Sequence, residues 1–318
     1  MSKKVYNKIP TSYEEQISLL QKRGLAIPDE DRANRYLKQI SYYRLSAYFL
    51  PYQQVKDKFN DGVDFDQILE TYKFDRELRL LVFDCIERIE VTIRSQMIHI
   101  LSKNYNTSHW QDNPDLFKLP YLNNRKETID IYKDIQNIIN ANCNSKHPEV
   151  FIKHYIDKYE SPKNPPSWMC LELLTIGELS RVYSGLRQNK DKQDIAGFFE
   201  LHSTVFTSWL HTLTYVRNIC AHHARLWNRE FAIKPEILIK PKRKWVQVNY
   251  SNNHRTFYFL CTLKYLLWGA NPNNHLTTKL NSLFQKYPKI PIRLLGIPSD
   301  KDYKLFDWKE EPLWLINE

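Results

Sequence analysis

The sequence predicts an all-α protein. Three observations carry this: glycine is scarce, with 7 residues in 318; the longest patterned stretch repeats its apolar residues at helical spacing; and the helix starts carry side-chain caps. Sandwiches, barrels and doubly wound sheets need tight turns and hence more glycine. Hydrophobic residues make up 42% of the chain, enough for a sizeable folded core.

The elements are read in chain order. Ser12, with Glu15 three residues on, caps a helix over 12–22 whose apolar side is Ile17, Leu19 and Leu20, and Gly24 closes it. Residues 29–52 read as a second helical block ended by Pro51. Over 65–105, Phe74, Leu78, Leu81, Cys85, Ile89, Ile93 and Leu101 mark a long helix. Glu87, Glu90 and Arg94 share one of its faces. That face is either solvated and held by the Glu90–Arg94 pair, or lies against another helix and orients that helix's arginine or histidine. Residues 106–166 are polar, with helical stretches near 126–142 and 148–159. The run Ser161-Pro162-Lys163-Asn164-Pro165-Pro166 is the clearest break. Ser167 is expected to cap a helix through Ile176, Gly177 to interrupt it, and 179–186 to continue it. Helices follow over 193–201 and 205–227. Residues 233–250 are open to a loop or a short hairpin. Helices over 255–267 and 276–287 come last, then an extended strap with four prolines over 288–314. The expected division is an N-terminal helical extension over 1–64, a helical body over 65–287 and a strap over 288–318.

Lys plus Arg is 46 against 36 for Asp plus Glu, a balance of +10 that favours polyanionic partners, nucleic acid before an anionic membrane surface. The five cysteines are scattered with no CxxC pair, which points to reduced thiols in a cytoplasmic protein and away from a zinc ribbon. No signal peptide follows Met1-Ser2-Lys3-Lys4, and no apolar run reaches transmembrane length. No cofactor or metal is expected: P-loop, GxGxxG and HExxH patterns are absent, and adjacent His222 and His223 point roughly 100° apart on a helix.

Residues 215–229 carry the chemistry. On a continuous helix, Asn218, His222, Arg225 and Arg229 fall at i, i+4, i+7 and i+11, with Arg217 flanking them and Trp209, Leu213, Val216 and Cys220 on an apolar side. Guanidinium forks bind phosphate oxygens, and an imidazole passes protons near neutrality. RNA brings its own 2′-OH nucleophile, so such a site needs no metal. A bland alternative is a satisfied histidine beside surface arginines. The densest positive run, Lys240-Pro241-Lys242-Arg243-Lys244, is either a solvated loop or a grip on folded RNA.

Arg217-Asn218-x3-His222 resembles the Arg-polar-x(3–5)-His signature of HEPN domains. The wider text, 218–229, resembles the Abi-like family of bacterial abortive-infection proteins of the AbiD/AbiF type. So do Arg35-Tyr36-Leu37, 40–46, 74–79, 87–91, Trp168-Met169-x2-Glu172, Pro291-Ile292-Arg293 and Gly296-Ile297-Pro298. The resemblance implies a HEPN-type helical bundle in phage defence, acting on or bound to RNA, with a structured non-coding RNA as partner and a homodimer as one route to a composite site. It implies Arg217 on the scissile phosphate, Asn218 orienting His222, His222 as base or acid, and Glu87 or Glu90 as partner of Arg217. His223, Arg225, Arg229, Arg44, Lys240, Lys242, Arg243 and Lys244 are the expected RNA-binding residues, with Arg94 supporting. Two readings stand: a metal-independent endoribonuclease, and a non-catalytic RNA-binding protein in a ribonucleoprotein.

Overall fold

The computed structural model describes residues 5–7, 9–247, 252–299 and 306–315. Among these the chain is all-α, with two two-stranded ribbons as its only sheets. It divides into two compact units, Met1–Arg79 with Asn281–Pro291, and Leu80–Leu280 with Ile292–Glu318.

In the first unit, α1 (Tyr13–Lys22) opens with the expected capping box: the Glu15 N–H donates to Ser12 Oγ (3.2 Å) and the Ser12 N–H to Glu15 Oε2 (2.7 Å). Asp29 caps α2 (Glu30–Ile40), accepting from the Arg32 N–H at 2.8 Å. The second block stops well before Pro51. Ser41 takes a left-handed φ of 70° and its hydroxyl caps a new short helix, α3 (Tyr42–Ser46), so the chain turns there. Pro51 sits in a 3-10 turn, Leu50–Tyr52. An unanticipated ribbon, β1 (Gln53–Val55) with β2 (Lys58–Phe59), leads into α4 (Phe65–Tyr105). Early in α4, Asp75 and Arg79 pair at i, i+4 with Tyr48 donating to Asp75 Oδ2 (2.6 Å), all three buried. The end of α12 (Leu276–Lys286) belongs to this unit, where Phe284 and Tyr287 meet Phe74.

In the second unit, α4 buries Val82, Cys85, Ile86, Ile89, Ile93, Met97 and Leu101, a steady three-and-four spacing. A second ribbon, β3 (Tyr121–Leu122) with β4 (Thr128–Ile129), precedes α5 (Ile131–Cys143) and α6 (Val150–Lys158). The 167–176 region differs from expectation. Ser167 caps nothing; it is buried inside α7 (Ser167–Cys170), its hydroxyl 3.3 Å from that of Ser102. The true start signal is Thr175 with Glu178, a full capping box on α8 (Ile176–Gly185). Gly177 lies within that helix. A Cβ there would stand 3.3 Å from the Thr214 methyl, so the glycine serves close helix approach rather than a break. After α9 (Asn189–Phe198) comes α10 (Ser203–Ala221), packed on α8 and α9. At the centre of this unit, α11 (Thr256–Ala270) is buried on every side from Thr256 to Leu267, in keeping with a largely apolar text that only Thr256, Thr262 and Lys264 interrupt. Residues 232–247 form an irregular run with bends and no strand, and 248–250 of the segment left open to a hairpin lie outside the described residues. Of the expected strap, residues 300–305 and 316–318 lie outside the described residues; within 306–315, Trp308 and Trp314 are buried edge to face (4.9 Å), and Trp314 stacks on Phe257 of α11. Among the described residues, no helix is long and apolar enough to cross a membrane.

Candidate functional site at the end of helix α10

Helix α10 stops at Ala221, six residues before the expected end, and the stop shapes the site. His222 caps it, its N–H donating to the Asn218 carbonyl (3.0 Å). His223 takes φ 56°; its N–H donates to the Cys220 carbonyl (3.1 Å), and the Ala224 N–H reaches back to Ile219 (2.9 Å). These are the paired bonds of a Schellman cap, a place usually held by glycine. Histidine is one of the few other residues enriched at positive φ. Buried Leu226 and Trp227 then carry the chain away.

The expected four-residue stripe is therefore cut in two. Asn218 and His222 remain one turn apart and exposed. Arg225 and Arg229 leave the helix axis and are half-buried. Arg229 donates to the Arg225 carbonyl (3.2 Å), and its guanidinium lies 6.0 Å from the Tyr215 ring centre. His223 is exposed beside His222. The imidazole at 222 is thus open to solvent rather than sealed in the apolar interior.

Arg217 is half-buried. Its guanidinium lies over the Phe83 ring (6.0 Å) and donates to Asn218 Oδ1 over a long 3.4 Å. The Asn218 carboxamide oxygen thus serves Arg217, where the resemblance had it orient His222. On α4, Arg94 donates to Glu90 Oε1 (3.0 Å), the Leu174 carbonyl (2.9 Å) and Glu172 Oε2 (3.3 Å). Burial pushes the Glu90 carboxyl above its ordinary range; the positive charges of Arg94 and Arg217 oppose this and Glu87 adds to it. The Glu90–Arg94 pair of the first reading forms, but it is half-buried rather than solvated, and Arg94 reaches across to Glu172 and the Leu174 carbonyl. Glu87 stays exposed.

The geometry gives an exposed His222 at the end of α10 and, on the same helix, an Arg217 guanidinium laid over the Phe83 ring and donating to Asn218. A helix C-terminus presents carbonyls, so an anion here must be held by side chains and not by the helix end. Among the described residues no cluster of His, Cys, Asp or Glu could hold a metal ion.

A family model described as Abi-like protein matches residues 35–228. The chain belongs to the Abi-like protein family. No curated protein and no solved structure matches it. The Abi-like protein is thus a bacterial protein of the abortive-infection type. The matched span takes in Arg44, Glu87, Glu90, Arg94, Arg217, Asn218, His222, His223 and Arg225, and ends just before Arg229.

The lysine run of the Abi-like protein lies beyond that span and is split by its contacts. Lys240, Lys242 and Lys244 are exposed. Arg243 is half-buried, bound to Glu200 (2.9 Å) and laid over Trp268 (5.7 Å), so its charge is already answered. Arg44 is half-buried in the first unit. Phe83 escaped the sequence reading, and Glu172 entered it only within the Trp168-Met169-x2-Glu172 text. Phe83, Glu87, Glu90 and Arg94 follow i, i+4, i+7, i+11 on α4, so the wheel that grouped the last three also held the first.

Proposed function

We propose that this Abi-like protein binds RNA at the Arg217–His222 face and cleaves it there without a metal, as a HEPN-type endoribonuclease. The observation that carries the reading is the exposed His222 at the end of α10, one turn from an exposed Asn218 that accepts from an Arg217 laid over the Phe83 ring. Arg217 offsets the charge that builds on the phosphate oxygens. Neutral His222 accepts the proton of the ribose 2′-OH as the 2′-oxygen bonds to phosphorus. The bond from phosphorus to the 5′-oxygen breaks, leaving a 2′,3′-cyclic phosphate, and the 5′-oxygen takes a proton from water or from the imidazole of a second, paired chain. The surplus of cations steers a structured non-coding RNA to this face.

One observation favours binding without cleavage. Asn218 is turned to Arg217, so the His222 ring lacks the orienting partner that a general base gains from. In that reading the same face grips the RNA of a ribonucleoprotein.

Purified protein incubated with RNA in excess EDTA separates the two. Cleavage to cyclic-phosphate ends that His222→Ala removes, with the melting curve unchanged, is the expected outcome. Cleavage that survives the substitution rejects the assignment of His222, and tight RNA binding with no cleavage by the unaltered chain moves the conclusion to the second reading.

A further inference from the structure

On the same side chain network sits a groove that the RNA site does not absorb. It encloses roughly 600 Å³ and is lined along α4 by Val91, Ser95, Ile98, His99, Ser102 and Lys103, and across from α4 by Trp168 and Glu172. That volume falls within the range of about 300–1,000 Å³ typical of small-ligand sites. Trp168 is 48% exposed although both neighbours that anchor it, Ser167 and Cys170, are fully buried. The indole is therefore held out by a fixed backbone, a costly arrangement for a large apolar ring unless something covers it.

The lining chooses the occupant. Its one carboxylate, Glu172, already accepts from Arg94 (3.3 Å), and the Ser102 hydroxyl is shared with Ser167 (3.3 Å), which leaves Lys103, His99 and the Ser95 hydroxyl to face a ligand. A groove built for a protein helix would be apolar along its length, whereas here serines, histidine and lysine alternate with Val91 and Ile98. An aromatic platform flanked by cationic and hydroxyl donors suits a nucleotide, with the base on the ring and phosphates on the donors. A duplex keeps its bases stacked inside and offers none to the indole. Arg94 joins the groove to the face described above, because it binds Glu172 on one side and Glu90, under the charge of Arg217, on the other.

We infer that this groove takes an unpaired RNA nucleotide, its base stacked on Trp168 and its flanking phosphates met by Lys103 and His99. The inference rests on the RNA reading above and narrows it to RNA with a single-stranded stretch next to the site.

The test measures affinity of the full chain, at one fixed salt concentration, for an unpaired RNA of about a dozen nucleotides and for a blunt duplex of equal length. Trp168→Ala is expected to weaken the unpaired RNA about five- to a hundredfold, Trp168→Phe to restore most of it, and the duplex to be unaffected. Lys103→Glu, at an exposed position, is expected to weaken the unpaired RNA and flatten its salt dependence; it carries the test if Trp168→Ala fails to fold. Unchanged affinity in Trp168→Ala or in Lys103→Glu, while Arg217→Ala abolishes binding, overturns the groove and leaves the RNA face standing. No RNA binding by the unaltered chain overturns both. Loss of self-association in Trp168→Ala with RNA affinity intact assigns the groove to a second copy of the chain and also overturns the inference.

Discussion

Three acid–arginine pairs stand at the same i, i+4 spacing on the one helix α4, and they meet three different fates. Asp75–Arg79 is sealed, at 0% and 5% side-chain exposure, with Tyr48 completing it. Asp84–Arg88 is out in water, at 41% and 45%. Glu90–Arg94 lies between, at 19% and 12%, and reaches beyond its own helix to Glu172, the Leu174 carbonyl and the charge of Arg217. Spacing made all three pairs possible; burial decides what each is for. The sealed pair locks one helix turn to Tyr48, the wet pair contributes little, and the half-buried pair ties α4 to Glu172 and the Leu174 carbonyl.

The sealed pair offers the largest break. Asp75→Ala strands the Arg79 guanidinium and removes the acceptor of the Tyr48 hydroxyl, whose ionisation burial and Asp75 already push far upward. The expected loss is about 3–5 kcal/mol of unfolding free energy, read from the denaturant midpoint at constant slope. A loss below about 1 kcal/mol, the scale of exposed pairs, would show that burial does not separate these pairs at all.

Arg94→Ala sharpens the middle case. It leaves Glu90 half-buried with Arg217 as its remaining counter-ion and removes the donor to Leu174. About 1–3 kcal/mol should be lost, since hydrogen bonds to charged groups are the stronger ones. Affinity for unpaired RNA should fall as well, because Arg94 also holds Glu172, which lines the proposed nucleotide groove. Stability lost with RNA affinity intact would separate the pair from the site.

The same contrast explains how far the sequence could be read. Helical period and capping boxes are local, so α1, the length of α4 and the presence of α11 were legible from residue types alone, though not the burial of α11 on every side. The cap on α10 was not. A Schellman turn usually announces itself with glycine, and here His223 takes the left-handed position inside a text that still looks helical, with Leu226 and Trp227 continuing the apolar beat. Those two residues are buried after the chain has left the helix, so their periodicity reports the core and not the element. The residues His222, Asn218 and Arg217 could be named in advance because their types and spacing carry chemistry. Which of them touch each other could not, because Phe83 and Glu90 come from more than a hundred residues away in the chain.

The smallest effect is expected at Glu77, a carboxylate of α4 that faces Lys286 (2.7 Å) and Tyr287 (2.8 Å) rather than an arginine of its own helix. Burial alone would raise its carboxyl, but the hydrogen bonds from Lys286 and Tyr287 and the lysine charge outweigh it and hold the group below its ordinary range. A carboxylate held lower in the folded than in the unfolded chain stabilises the fold fully above the unfolded value. That contribution is lost as pH falls through the folded one, so the window opens near pH 4 and closes below it. Because Lys286 is 59% exposed, screening keeps the contribution under about 1 kcal/mol. Glu77→Gln should therefore be slightly less stable than the unaltered chain at pH 7, the gap narrowing as pH falls below the ordinary carboxylate range and added salt closing it at neutral pH. A gap that narrows neither in acid nor in high salt would mean that Glu77 acts through packing, and that partial exposure on α4 does not weaken a carboxylate's ionic contribution in the way the three arginine pairs suggest.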